Sequence, residues 1–376
     1  MSDPASMPGE DHPALRAFVD LDAIRHNYRL LVAKNAPTPV MAVVKADAYG
    51  HGAVAVARAL VEEGATLFAV AHVAQAIVLR QAGITSRILV LGVPLARFYD
   101  SYVDFDLEMA VTSVEVADSI CDYAGGLRGA KLRVHLEVDT GMHRLGVAPT
   151  DVARVASRLI NAAGLELVAT WTHLATADEA GSPFVDEQLD SFDSASHFPT
   201  THVANSGGAL LVKRAAEGRC LTRVGGLLYG LPSTKDLEAA SADFRPAMRL
   251  TSEVVHLHRV PKGESVSYGR TWVAPEATLV GTIVAGYADG LPRSLSNKGF
   301  AGIRGQIVPI VGRVCMDLLM VAIPREFAGS VQLGDEVVLF GLGGPSARIQ
   351  AAAAETISYA LTAGLTARVP RIYSSG

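Results

Sequence analysis

The sequence predicts an α/β protein. A TIM-type (β/α)8 barrel is expected over residues 13–243 and a mainly β domain over 244–376. Two observations carry this. From about residue 38 to 240, short apolar runs alternate with helical stretches in about eight units. Strands buried on both faces read as such near-continuous apolar runs, and eight of them suit a closed barrel. After about residue 244, strand-like runs bounded by Gly, Pro or Asp follow one another with few helices between them. A doubly wound open sheet is the alternative for the first part.

The elements follow in order. Residues 1–12 (MSDPASMPGEDH) are polar and acidic, without a basic or apolar leader pattern, and are expected to form a loose, disordered tail. PVMAVV (Pro39 to Val44) is the first expected barrel strand, and Ala53 to Glu63 an amphipathic helix ended by Gly64. TLFAVA, RILVLG, LEMAV, KLRVHLEVD, LELVATWTH, THVANS and CLTRVGG supply the remaining strand ends. Beyond the boundary near Ala242–Pro246, LTSEVVHLHRV, TLVGTIVAGY, GQIVPIVGRVCM and DEVVLFG are expected strands. One helix, Ile349 to Gly364, is expected to close the domain. GLGGPS (Gly341 to Ser346) lacks a GxGxxG register and a βαβ context, so it is expected to be a plain loop.

Composition excludes several functions. Hydrophobic residues make up 49% and charged residues 19%, which is globular. A net charge of -5 offers no surface for nucleic acid or for an anionic membrane. The longest apolar stretch, Thr66 to Gly83, is interrupted by His72, Gln75 and Arg80, too polar to span a bilayer. Three scattered cysteines without CxxC spacing fit free thiols, and a cytoplasmic location is expected. No metal-ligand motif accompanies the 11 histidines.

Lys45 is the first anomaly. It ends an apolar strand and precedes ADAYGHG (Ala46 to Gly52). One explanation is a lysine snorkelling from a strand end. The other is an amine nucleophile at the C-terminal mouth of a barrel, where enclosure lowers its pKa. Taken alone, the residues leave both open.

KADAYGHG resembles the cofactor-lysine motif of alanine racemases. DTGMHRLG (Asp139 to Gly146), THLATAD (Thr172 to Asp178), HVANS (His202 to Ser206) and RVGGLLYG (Arg223 to Gly230) continue the resemblance. So do VSYG (Val266 to Gly269), GYADG (Gly286 to Gly290), GRVCMD (Gly312 to Asp317) and ISYALTAGLTARVPRIY (Ile357 to Tyr373). A chance match to one short motif is common, but a run in family order is not.

The resemblance implies a pyridoxal 5'-phosphate enzyme of fold type III. It would act as a homodimer with shared active sites and interconvert L- and D-alanine, supplying D-alanine for peptidoglycan. Lys45 would hold the cofactor and serve one face of the substrate α-carbon. Tyr268 of the partner chain would serve the opposite face, with His173 hydrogen-bonded to it. Arg223 would face the pyridine nitrogen. Tyr49, Ser206, Tyr359, Gly225 and Gly226 would hold the phosphate. Arg144 and the backbone N–H of Met316 from the partner chain would grip the substrate carboxylate, with Tyr287 and Asp317 at the entrance. Many members carry a carbamylated lysine where this chain has Glu137. The glutamate is expected to supply a permanent negative charge toward Arg144, from a shorter reach. A racemase for serine or a broader set of amino acids is the alternative within the family. A decarboxylase of the same fold type is disfavoured, because Arg223 stands where it would carry a carboxylate.

Overall fold

The computed structural model describes residues 14–127, 129 and 131–374. The expected tail, residues 1–12, lies outside them. The chain divides into two compact units: residues 23–245, and residues 14–22 together with 246–374.

The first unit is a barrel. Its strands are β2 (Val40–Val43), β3 (Leu67–Val70), β4 (Arg87–Val90), β5 (Glu108–Val111), β6 (Leu132–Glu137), β7 (Leu165–Trp171), β8 (Thr201–His202) and β9 (Thr222–Val224). All pair in parallel, in the order β8-β7-β6-β5-β4-β3-β2-β9. The two ends of that order meet: Cys220 N–H donates to Thr201 O (2.8 Å) and Arg223 N–H to Ala204 O (2.9 Å). Those bonds close the ring. β2, β3 and β5 are buried along their whole length, as a sheet covered on both faces requires. Met41, Val43, Leu67, Ala69, Leu89 and Leu221 form one core cluster, with Tyr49 packed against it. Full burial of each large aliphatic contributes roughly 1.5–3 kcal/mol.

The second unit is mainly β. Its longest strand, β10 (Met248–Val260), pairs with β1 (Arg16–Asp20), with β13 (Thr278–Val284) and with β17 (Glu336–Phe340). Thr251 bonds into the first part of this network and His258 into the second, with an irregularity between Val254 and His256 that lets one strand serve both. β14 (Phe300–Ile303), β15 (Gln306–Pro309), β16 (Leu318–Ile323) and β18 (Arg371–Ser374) complete the sheet. β11 (Ser265–Val266) and β12 (Trp272–Val273) form a separate short hairpin.

Two expectations are corrected here. Residues 14–22 do not join the barrel to which 13–243 was assigned. β1 alternates buried and exposed positions, and it bonds antiparallel to β10 and parallel to β18. The closing helix is two helices, Ala347–Ala353 and Ser358–Ala363. Ser346 caps the first by accepting from Ile349 N–H (3.2 Å). Glu355 breaks the run with φ +57°, where it pairs with Lys298 at 2.6 Å. Among the described residues no helix is long and apolar enough to cross a membrane.

Candidate active site

The segment after β2 leaves the strand in an unusual way. Val44 N–H still bonds Ala69 O (2.8 Å), and Lys45 follows. Ala46, Asp47, Ala48 and Tyr49 then take φ of 51 to 55°, one turn of left-handed helix. Each such residue costs roughly 1–2 kcal/mol, so the turn persists only where its surroundings hold it. Asp47 Oδ1 accepts from Ala53 N–H (2.7 Å). His51 Nδ1 lies 3.0 Å from both Ala48 O and Tyr49 O, and therefore carries its proton there. The His51 ring stacks on Tyr229 at 4.6 Å, and Tyr229 donates to Val43 O (3.0 Å). The turn is thus clamped to its own strand.

This turn brings the Tyr49 hydroxyl against the β9 end. A Cβ added at Gly225 would lie 2.2 Å from Tyr49 Oη, so only glycine admits this approach. Gly225 N–H donates to Ser206 Oγ (3.0 Å), and Ser206 opens the helix Ser206–Leu211, capped by Asn205 Oδ1 on Gly208 N–H (3.0 Å). Tyr49, Ser206, Gly225 and Gly226 therefore come together, a donor-rich cradle suited to an anion. Gly225→Ala is expected to push Tyr49 or Ser206 out of place and weaken affinity for a phosphate-bearing ligand about tenfold, ~1.4 kcal/mol. Titration of parent and variant with a phosphate ester checks this, and unchanged affinity would count against the cradle.

Arg223 sits on β9 and is 3% exposed. Its guanidinium lies 4.7 Å over Trp171. It donates to Thr172 O (2.8 Å), Val203 O (3.1 Å), His202 O (3.0 Å) and His202 Nδ1 (2.6 Å). Burial brings its pKa down to about 10, so it remains cationic at neutral pH. The hydrogen bonds continue inward: His202 Nε2 to His135 Nδ1 (3.0 Å), then His135 Nε2 to Glu108 Oε2 (2.8 Å). Arg87 and Arg133 pair with Glu108 from the N-terminal ends of β4 and β6. Burial alone would raise the Glu108 carboxyl, but hydrogen bonds from His135 and Arg87 outweigh it and bring it down to about 2. An arginine only donates and a carboxylate only accepts. Both imidazoles are then neutral with the proton on Nε2, and burial pushes both histidines in that direction.

Around Arg223 stand Lys45, Glu137, Arg144 and His173. The Lys45 ammonium pKa is lowered by burial and by the Arg144 and Arg223 charges. His173, just past β7, is brought down to about 3 by burial and by Arg223, Arg144 and Lys45. Glu137 ends β6 and is 3% exposed. Burial raises its carboxyl to about 7, against the pull of Arg223 and Arg144. Its charge is not permanent, contrary to expectation. Oε2 is buried without a hydrogen-bond partner, and among the described residues no ion pair joins Glu137 to Arg144, which is exposed.

Tyr268, Tyr287, Met316, Asp317 and Tyr359 belong to the second unit. Tyr287 N–H bonds Cys315 O (3.0 Å) and Ala288 N–H bonds Met316 O (3.0 Å), so GYADG and GRVCMD lie together. Asp317 is paired with Arg368 (2.7 Å). Tyr359 lies on Ser358–Ala363, whose neighbour Thr366 donates to Asp289 O (3.0 Å). Tyr268 is 72% exposed, Met316 53% and Tyr287 41%.

Sequence reasoning missed His135, Glu108, Trp171, the role of His202 and the clamp by His51 and Tyr229. The signal for His135 was present: a histidine inside an apolar strand.

Comparison with known proteins agrees with this geometry. A family model described as alanine racemase, N-terminal domain, matches residues 19–233, and one described as alanine racemase, C-terminal domain, matches 247–373. An alanine racemase of Chlorobaculum tepidum is 40% identical over 368 residues, covering 95% of this chain and 94% of its own. One of Geobacter sulfurreducens is 39% identical, covering 95% and 96%. The crystal structure of a biosynthetic alanine racemase from Pseudomonas aeruginosa superposes with a TM-score of 0.89 at 37% identity, covering 96% of this chain and 100% of that one. An alanine racemase from Streptomyces coelicolor gives 0.90 at 33% identity, covering 96% and 98%. The chain, matched along both of its units, belongs to the alanine racemase family of isomerases.

Proposed function

We propose that the protein is a pyridoxal 5'-phosphate-dependent racemase that interconverts L- and D-alanine by a two-base mechanism, as a homodimer with shared active sites. In the cell it supplies D-alanine for peptidoglycan. The observation that carries this reading is the half-buried Lys45, its ammonium pKa lowered, in the unit that holds the Tyr49–Ser206–Gly225 cradle and a buried Arg223.

The residues fit the cofactor. Lys45 would hold it covalently, and Tyr49, Ser206, Gly225, Gly226 and Tyr359 would hold its phosphate. Bound pyridoxal phosphate supplies an electron sink that acidifies the substrate α-carbon. Arg223 would face the pyridine nitrogen. As a cation it could donate a hydrogen bond there but would give up no proton, which would disfavour transamination.

Lys45 would take or return the α-proton on one face. Tyr268 of the partner subunit does the reverse on the other, so one proton leaves and one arrives. His173, neutral across the working range, supports Tyr268 as a hydrogen-bond partner without adding a charge. Arg144 and the backbone N–H of Met316 of the partner subunit would grip the carboxylate, with Tyr287 and Asp317 at the entrance. The exposure of Tyr268, Met316 and Tyr287 supports a partner surface there.

Tyr268→Phe tests the mechanism. L- and D-alanine have equal free energies, so kcat/KM must fall equally in both directions, by about 10²–10⁴-fold. The asymmetry appears in the α-deuterium isotope effect, which rises only in the direction where Tyr268 removes the proton. Equal isotope effects both ways would refute two separate bases. Serine assayed beside alanine decides the alternative. The aromatic at Tyr359 favours the smaller substrate, and equal rates would favour a broader racemase.

A further inference from the structure

Tyr268 sits at the tip of the β11–β12 hairpin, and the residue before it has an unusual backbone. Ser267 takes φ +67° and ψ -177°. That region is almost confined to glycine, and another residue there costs about 1–3 kcal/mol. Gly269 and Arg270 follow at φ +71° and +50°. Tyr268 is therefore presented by a loop in which three of its neighbours have positive φ.

The strain at Ser267 is held by its own side chain. Ser267 Oγ donates to Arg313 O (2.7 Å) and lies 3.5 Å from Cys315 Sγ. Cys315 Sγ also reaches Arg313 O (3.5 Å). Gly312 allows the approach: a Cβ there would meet Ser267 Cβ at 2.7 Å and Val266 O at 2.8 Å. On the far side of the loop, Asn297 bridges Thr271 Oγ1 (3.0 Å) and Gly312 N–H (2.7 Å). Val266, Val311 and Met320 form a core cluster beneath, with Trp272 and Cys315 packed against it. The base of the hairpin is thus rigid, and the Ser267 hydroxyl is the tie nearest to Tyr268.

We infer that Ser267 is a positioning residue, whose hydroxyl anchors the hairpin tip on the Arg313–Cys315 segment and so fixes Tyr268 in the place from which it acts. Nothing else about Ser267 demands a serine: glycine would adopt the same φ and ψ without cost. Serine accepts the strain and supplies the tie. This rests on Tyr268 being the second base. A proton-transfer group displaced by about 1 Å loses about a hundredfold in rate.

The test uses the cofactor-loaded dimer with Ser267→Ala, Ser267→Gly and Tyr268→Phe in parallel. Ser267→Ala keeps the strain and removes the tie, so its tip relaxes. Its kcat for alanine is expected to fall about ten- to a hundredfold with KM little changed. Its α-deuterium isotope effect should rise in the same single direction as that of Tyr268→Phe. Ser267→Gly removes strain and tie together, and should recover much of the loss. A serine that only stabilised the fold would lower the amount of active dimer and leave the isotope effect alone. The inference is overturned if Ser267→Ala has the parent rate, if it loses rate with unchanged isotope effects, or if Ser267→Gly is as impaired as Ser267→Ala. If Tyr268→Phe itself keeps full activity, the second-base reading fails, and the inference with it.

Discussion

Lys45→Ala is expected to eliminate the visible absorbance of the lysine-linked cofactor and to lower kcat/KM for alanine by about four orders of magnitude or more. On the proposed function two roles would be lost together: the covalent anchor and one of the two proton-transfer groups, the latter alone contributing about 10²–10⁴-fold. The environment explains why a lysine is used. Burial and the Arg144 and Arg223 charges lower the ammonium pKa, so the neutral amine costs less to reach than on a free lysine. Lys45→Arg would restore a cation but not a nucleophile, and is expected to be as inactive as alanine. Purified variants, titrated with cofactor and assayed in both directions, check this. A Lys45→Ala protein that kept the band, or more than about a hundredth of the activity, would remove Lys45 from both roles.

The barrel was legible because its strands obey a simple rule. A strand covered on both faces is continuously apolar, and runs such as MAVV and LFAV cannot be solvent-facing. The second unit was legible through Gly, Pro and Asp punctuation. Membership of β1 was not, because an alternating strand such as RAFVD does not name its partner. The left-handed turn at Ala46–Tyr49 was also hidden. Alanine and aspartate prefer right-handed geometry, and the turn exists only because Asp47, His51 and Tyr229 clamp it. The same holds for the Arg223–His202–His135–Glu108 chain, whose members come from four strands and meet only when the barrel closes. The candidate site residues stood in short motifs. Those that support them were scattered.

Glu137→Gln should flatten the pH dependence of stability across the neutral range. The Glu137 carboxyl titrates near 4.5 when unfolded and at about 7 in the folded chain. A raised folded pKa favours the protonated fold. Its stabilisation is complete below about pH 4.5 and is lost as pH rises through about 7. At 1.36 kcal/mol per pH unit, the loss is ~3 kcal/mol. Glutamine has the same shape and does not titrate. Its buried amide costs about 1–3 kcal/mol wherever it lacks partners, but equally at every pH. The cofactor-free variant should therefore lose less stability than the parent between pH 5 and 8, by roughly that ~3 kcal/mol, in denaturant unfolding at fixed protein concentration. Parallel profiles would mean that Glu137 is ionised throughout and paired with a cation. Activity gives the complementary result. If the glutamate field steadies Arg144, the variant's KM for alanine should rise severalfold. Unchanged KM and kcat would leave Glu137 a structural acid with no part in substrate binding. A buried carboxyl whose Oε2 lacks a hydrogen-bond partner is a costly way to fill a barrel, and a role for its charge is what such a cost would support.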